Sequence, residues 1–340
     1  LKILFDNYWE VLNKDNRLFE QRNAAIGDDL LLPFQVLKEQ AAKRGIAAGT
    51  RSAIPLEQAD AIVFIDLPDI TRPHVQRMLN SGKPLYLIVF ESPLIRPVKK
   101  DDQLISRFKK IFTYDDAMVD GCRFVKINYS FDTSQKREID LSKKLKLSVM
   151  IAGNKRVNHP QELYSDRIET IKWFEKNHPD DFDLYGVGWD ERHFGDRLPL
   201  RVLNHFHPIR RLMARNYAAY RGPVERKREV LESYKFSICY ENIMNVPGYI
   251  TEKIFDCFFA GCLPVYLGAD NISDHIPANC FIDRRKFKSH SELYDFILNM
   301  SDSLYIEHLQ NISVFLQSGL AYPFSIDSFV STILSEFVRE

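Results

Sequence analysis

The chain is expected to fold as an α/β protein of two doubly wound, Rossmann-like domains facing across a cleft. Two observations carry that expectation. Short apolar runs alternate with amphipathic stretches in both halves of the chain, and a polar, lysine-rich segment over 133–146 interrupts the rhythm between them. With 340 residues, 45% of them hydrophobic, there is enough apolar side chain for two cores. In the first half, residues 1–5, 61–65, 85–90, 111–114 and 124–127 read as buried parallel strands, bounded by Pro, Gly and Asp. The stretches 30–43 and 72–80 between them have helical spacing. The second half restarts with a strand over 145–151, a helix over 162–176 and a strand over 182–185. An irregular Arg-rich segment, 199–228, is followed by strands at 236–240 and 264–267 flanking a helix at 252–260, and by three closing helical patterns. The domain bounds expected from this are 1–140 and 141–322, with 323–340 as a terminal helix. Open parallel sheets bind ligands beyond the carboxyl ends of their strands, so chemistry is expected in the cleft.

Lys+Arg and Asp+Glu both total 46, which argues against nucleic acid as a bulk electrostatic partner, and any anion must be held locally. No run of about 18 apolar residues appears, and the first eight residues are too short and polar for a secretory signal. The five cysteines are an odd number with no CxxC pair. Four sit in apolar surroundings and read as buried free thiols, which suits a reducing compartment and a cytoplasmic location. Sequons at Asn128, Asn271, Asn299 and Asn311 point the other way, towards a Golgi lumen if an anchor precedes Leu1.

The most informative run is 234–268. A strand ends at Tyr240, the polar pair Glu241 and Asn242 follows, and a Pro-Gly loop leads to Thr251, a good N-cap for a helix beginning at Glu252. Unpaired N–H groups and the positive dipole end of that helix would favour a diphosphate. Lys253 in the first turn adds a charge that the dipole disfavours, which suggests a bound anion, and Glu252 is placed to accept hydrogen bonds from ribose hydroxyls. On charge pattern alone, an ordinary capped helix with an exposed Glu-Lys pair remains open.

These residues, Tyr234-Lys235-Phe236, Glu241-Asn242, Tyr249-Ile250-Thr251-Glu252-Lys253 and Ala260-Gly261-Cys262-Leu263-Pro264-Val265-Tyr266, resemble in order and spacing the signature of the α-1,3/α-1,4-fucosyltransferases, glycosyltransferase family 10. The resemblance implies a GT-B architecture, with the acceptor on the first domain, GDP-fucose on the second and the terminal helix braced against the first. It implies that Tyr249, Glu252 and Lys253 contact the donor, with Glu241, Asn242 and Thr251 in the same loop. Upstream, Asn154 and Arg167 are similar to the family's other diphosphate ligands. Arginine suits that task because its fork holds two phosphate oxygens. The spacing between Asn154 and Arg167 departs from the family pattern, so Lys155 and Arg156 stay open as the ligand.

In the first half, Glu91-Ser92-Pro93 follows an apolar strand and resembles the family's acceptor-side Glu-Ser-Pro. Inverting transfer needs a base for the attacking hydroxyl, and Glu91 is the candidate; a turn-capping glutamate is the alternative. The resemblance thus implies an inverting transferase moving L-fucose from GDP-β-L-fucose to an oligosaccharide or lipid-linked glycan, in α-1,3 linkage to GlcNAc or Glc. A role in surface-polysaccharide or lipopolysaccharide assembly would follow. Another GDP-sugar as donor, or an inactive binding relative, stays open. No protein-held metal is expected, with a divalent cation at most stimulatory. The Asp180-Asp181-Phe182-Asp183 cluster reads as a turn before a strand, and His205 and His207 as loop histidines. The basic residues Arg201, Arg210, Arg211, Arg215, Arg221, Arg226, Lys227 and Arg228 read as a solvated face, with contact to an anionic membrane as the alternative.

Overall fold

The computed structural model describes residues 1–22, 28–100, 102–134, 139–191, 206, 210, 213 and 215–337. The first sheet has six parallel strands, β1 (Lys2–Asn7), β2 (Ala47–Thr50), β3 (Ala61–Ile65), β4 (Leu85–Val89), β5 (Lys110–Thr113) and β6 (Phe124–Lys126), in the order β2-β1-β3-β4-β5-β6. The period of two along each strand sends alternate side chains to opposite faces. Ile3, Phe5, Val63, Ile65 and Ile88 pack with Phe34, Leu37 and Ala41 of helix α1 (Leu32–Lys43). Leu4, Ile62, Phe64, Leu87 and Val89 pack with Val75, Met78 and Leu79 of α2 (Pro73–Leu79) on the other face. With both faces covered, the strands have to be apolar throughout, and for that reason they stand out in the sequence.

Strand β2 is the exception. It consists of Ala-Ala-Gly-Thr and carries no large apolar side chain to announce it. Its entry is set by Gly45, at φ +71 just past α1, where the Ile46 N–H bonds the Ala41 carbonyl at 2.9 Å and closes the helix.

The second sheet is five-stranded and parallel: β7 (Lys146–Ile151), β8 (Phe182–Tyr185), β9 (Tyr234–Tyr240), β10 (Leu263–Leu267) and β11 (Ile282–Asp283), ordered β11-β10-β9-β7-β8. Helix α3 (Tyr164–Asn177) joins β7 to β8 and α4 (Glu252–Phe259) joins β9 to β10. Two further helices follow, α5 (His290–Leu298) and α6 (Asp302–Gln317), capped by the hydroxyls of Ser289 and Ser301. The last helix, α7 (Ile326–Leu334), leaves this domain and lies on the first. Its Phe329, Val330, Ile333 and Leu334 join the α1 side of the first core, with Phe329 5.5 Å from Phe34. Burial of such side chains is worth about 1.5–3 kcal/mol each. The two crossings of the chain between domains run side by side, the Phe131 N–H donating to the Phe324 carbonyl at 2.8 Å. Among the described residues no helix is long and apolar enough to cross a membrane.

Cys239, Cys257, Cys262 and Cys280 are buried free thiols, and Cys122 is exposed. Of the sequons, Asn128 is buried and donates to the Pro323 carbonyl at 3.2 Å.

Candidate active site

Both sheets direct their carboxyl ends towards one region, where a clasp joins the domains. Asp116, two residues after Tyr114 at the end of β5, accepts hydrogen bonds from His275 Nε2 at 2.7 Å and Asn271 Nδ2 at 2.8 Å in the second domain, and pairs with Lys126 at 2.6 Å. Burial opposes its charge, but these three donors hold its carboxyl well below the usual range. Opposite it, Gly248 stands at φ +78, where a Cβ would lie 2.3 Å from the Tyr114 carbonyl oxygen and 2.7 Å from Asp116 Oδ2. No side chain fits that position. Gly248→Ala should therefore lose about 1–3 kcal/mol from the backbone conformation alone, and more from the clash. Urea unfolding checks the loss and small-angle scattering the spread of the domains; an unchanged midpoint and radius would refute this use of the glycine.

On the second domain, Thr251 caps α4, its hydroxyl accepting from the Lys253 N–H. Glu241, fully buried, accepts from the Thr251 N–H at 2.9 Å, from the Thr251 hydroxyl and from Lys253 Nζ at 2.9 Å. Lys253 also lies 3.7 Å from Glu252, which pairs in turn with Lys227 at 3.4 Å. Lys227 reaches Asp256 as well, at 3.2 Å. Desolvation raises the Glu252 carboxyl, but Lys253 and Lys227 outweigh it and bring the pKa down to about 2. Desolvation dominates at Asp256 and pushes it up to about 6. For Lys253, burial favours the neutral amine, yet Glu241 and Glu252 together hold it above its ordinary value.

The structure gives several of the expected site residues partners within the chain. Lys253 at the helix start is matched by carboxylates of its own chain and does not of itself require an anion. Glu241, Tyr249 and Thr251 are 0%, 2% and 1% exposed. Glu252 is engaged with two lysines before any ribose arrives. Arg167 is 3% exposed, and its Nη2 donates to the carbonyls of Tyr240 and Glu241 at 2.7 Å each and to Asn242 Oδ1 at 3.1 Å, so it fixes the turn after β9. Lys155 and Arg156 are exposed, and Arg156 lines an open cavity of about 540 Å³ with His159, Tyr164 and Lys172. Asn154 pins the loops after β7 and β8 together, its N–H bonding the Val187 carbonyl and its amide the Gly188 carbonyl, both at 2.9 Å.

The basic segment is not a free face where it is described. Lys227 and Arg228 are drawn inwards, Arg228 lying 4.6 Å over the Phe259 ring and 3.3 Å from Asp29, while Arg221 pairs with Asp183, Arg226 with Glu229 and Arg210 with Glu191. Arg215 lies over the Tyr217 ring. Arg201, Arg211, His205 and His207 lie outside the described residues. Asp183 is tied to Lys146, Arg221 and the Tyr234 hydroxyl within the sheet.

On the first domain, Glu91 leaves β4 half-buried at the edge of a cavity of about 100 Å³ lined largely by aromatic and aliphatic side chains. The Tyr8 hydroxyl donates to its Oε1. A continuous path of contacts runs from Glu91 to the other domain. The Tyr114 hydroxyl donates to the Glu91 carbonyl at 3.0 Å, the Tyr114 and Tyr249 rings are 4.9 Å apart, Asn242 Nδ2 donates to the Tyr249 hydroxyl at 3.3 Å, and Asn242 meets Arg167. The backbone of Glu91 is thereby tied to the β9–α4 loop.

Tyr8, Asp66 and Lys227 are the site residues that sequence reasoning missed. Tyr8 and Asp66 both lie just past apolar runs, so the strand-end rule would have found them. Burial pushes Asp66 up to about 7, against the two backbone N–H groups that favour its charge. Its folded value exceeds that of an unfolded aspartate, near 3.9. The folded chain thus holds a proton the unfolded chain releases, and the associated stability, full below about pH 4, is lost as pH rises through 7. Asp66→Asn should flatten that part of a urea-midpoint profile against pH; a profile of unchanged slope would contradict the assignment.

Residues 209–313 match the family model of glycosyltransferase family 10 (fucosyltransferase), C-terminal part. The α-(1,3)-fucosyltransferase FucT of Helicobacter pylori is 33% identical over 101 residues, 29% of this chain and 21% of that protein. An α-(1,4)-fucosyltransferase of Arabidopsis thaliana is 38% identical over 72 residues, 21% of this chain and 18% of that one. The matched stretches span about a fifth of these curated relatives. Among solved structures, an α1,3-fucosyltransferase with GDP-fucose is similar over 100% of this chain and 91% of that chain, with TM-score 0.59 and 16% identity. An α-glucosyltransferase in complex with UDP-glucose and DNA gives TM-score 0.57 over 99% and 98%, at 10% identity. At these identities the structural likeness establishes the two-domain GT-B fold.

Proposed function

From the match of residues 209–313 to the family model of glycosyltransferase family 10, we propose that this chain transfers L-fucose from GDP-β-L-fucose to a glycan hydroxyl with inversion, forming an α-1,3 linkage to GlcNAc or Glc. The observation that carries this reading is the contact path from Glu91 through Tyr114, Tyr249 and Asn242 to Arg167. It links the backbone of Glu91 on the first domain to the turn after β9 on the second. In the reaction, Glu91 takes the proton of the acceptor hydroxyl as that oxygen attacks C1 of fucose from the face opposite the leaving GDP. The C1–O bond to the diphosphate breaks as the new glycosidic bond forms.

Lys253 and the α4 terminus stabilise the departing diphosphate, with Lys155 or Arg156 as the reachable partner on the β7 side. Glu241 and Arg167 support that loop from behind. GDP-fucose enters as a substrate, and the described residues contain no cluster of three or more potential metal ligands. The four buried free thiols suit a reducing compartment, the cytoplasm in this reading.

Incubation with GDP-fucose and a panel of GlcNAc- and Glc-terminated acceptors tests the proposal, with proton NMR of the product. An α-fucosyl anomeric signal is expected; a β-linked product would refute inversion, and transfer from GDP-mannose alone would refute the donor.

A further inference from the structure

As the base of the proposed transfer, a reading on which this inference rests, Glu91 must be held in a fixed orientation. The backbone and side chain of Glu91 are gripped separately, by residues at the ends of two neighbouring strands. Asp66 follows β3 directly and is 4% exposed, at φ +59, an unusual conformation for a residue with a side chain. Its Oδ1 accepts from the N–H groups of both Phe90 and Glu91, each at 2.7 Å. The carbonyls of the same two residues are taken by Tyr129, at 2.6 Å, and Tyr114, at 3.0 Å. The peptide from which Glu91 projects is thus held on every polar group.

A left-handed non-glycine residue and a buried carboxylate each cost free energy, and both costs fall on Asp66. That combination is typical of a position maintained for its geometry. The side chain of Glu91 is held by Tyr8, just past β1, whose hydroxyl donates to Oε1. The Arg96 guanidinium lies 4.9 Å over the Tyr8 ring and steadies it. Among the described residues Oε2 accepts no hydrogen bond, so one oxygen is fixed and the other is left open on a residue that lines the cavity.

We propose that Asp66 and Tyr8 are positioning residues of the transfer reaction: Asp66 fixes the Phe90–Glu91 backbone, and Tyr8 fixes the carboxylate with Oε2 directed at the acceptor hydroxyl. The titratable and charged groups facing Asp66 are Glu91, Tyr8, Arg96, Tyr114 and Tyr129.

The test is kcat and acceptor KM for Tyr8→Phe, Asp66→Asn and Asp66→Ala, alongside Glu91→Gln, with GDP affinity as the check on folding. Tyr8→Phe should lower kcat about tenfold at unchanged acceptor KM, the worth of a hydrogen bond to a charged group. Asp66→Ala should lower kcat about a hundredfold through misplacement of the base. Asp66→Asn, which keeps an oxygen acceptor at Oδ1, should recover most of that loss. Wild-type kcat in Tyr8→Phe, with Glu91→Gln inactive, would overturn this inference alone. Equal losses in Asp66→Asn and Asp66→Ala would overturn the role of Asp66. Full activity in Glu91→Gln would instead overturn the assignment of the base, and this inference with it.

Discussion

Glu91→Gln is expected to lower turnover by about 10²–10⁴-fold, the usual worth of a general base, while GDP affinity stays within about twofold. The substitution is nearly isosteric, so the Tyr8 hydroxyl keeps an oxygen acceptor and the backbone contacts from Asp66, Tyr114 and Tyr129 are untouched. The effect should fall on kcat, because the amide cannot accept the proton that the attacking oxygen releases. A rise in KM at constant kcat would mean that Glu91 only binds the acceptor.

Lys253→Ala should have the second large effect, and it should be twofold in kind. Glu241 is fully buried and Lys253 is its cation, so removing the ammonium leaves an uncompensated carboxylate behind the β9–α4 loop. Breaking a buried pair from one side costs about 3–5 kcal/mol. Loss of donor binding in the single variant therefore does not by itself separate a phosphate contact from a collapsed loop. The double variant Glu241→Gln, Lys253→Met separates them. It should regain most of the lost stability, because no buried charge is left unpaired, yet it should still fail to bind GDP. Recovery of GDP binding with stability would assign Lys253 a purely structural part.

The sequence shows most readily those parts of the molecule whose determinants are local. Strands β3 and β4 are unbroken apolar runs because both faces of their sheet are covered, and the Thr251 cap sits next to the helix it starts. What stays hidden depends on partners distant in the chain. Nothing near Lys253 says that Glu241 pairs with it, and nothing near Lys227 says that Asp256 draws it out of an apparently basic face. Arg167 has the residue type of a phosphate ligand, and nothing near it in the sequence says that its Nη2 also holds carbonyls more than seventy residues away. The Asp116–His275 clasp joins side chains 159 positions apart. Strand β2 is silent for a different reason, since its small residues give no periodic signal.

Everything proposed for the reaction requires that the cleft between the β9–α4 loop and Glu91 bind GDP-fucose. Calorimetric titration of the intact chain with GDP-fucose, GDP-mannose and UDP-galactose, repeated on Lys253→Ala and on the Glu241→Gln, Lys253→Met double variant, tests this most directly. Selective binding of GDP-fucose by the wild type is expected, with its loss in both variants. Binding of UDP-galactose in preference to GDP-fucose, or GDP-fucose binding that survives in the stable double variant, would contradict it.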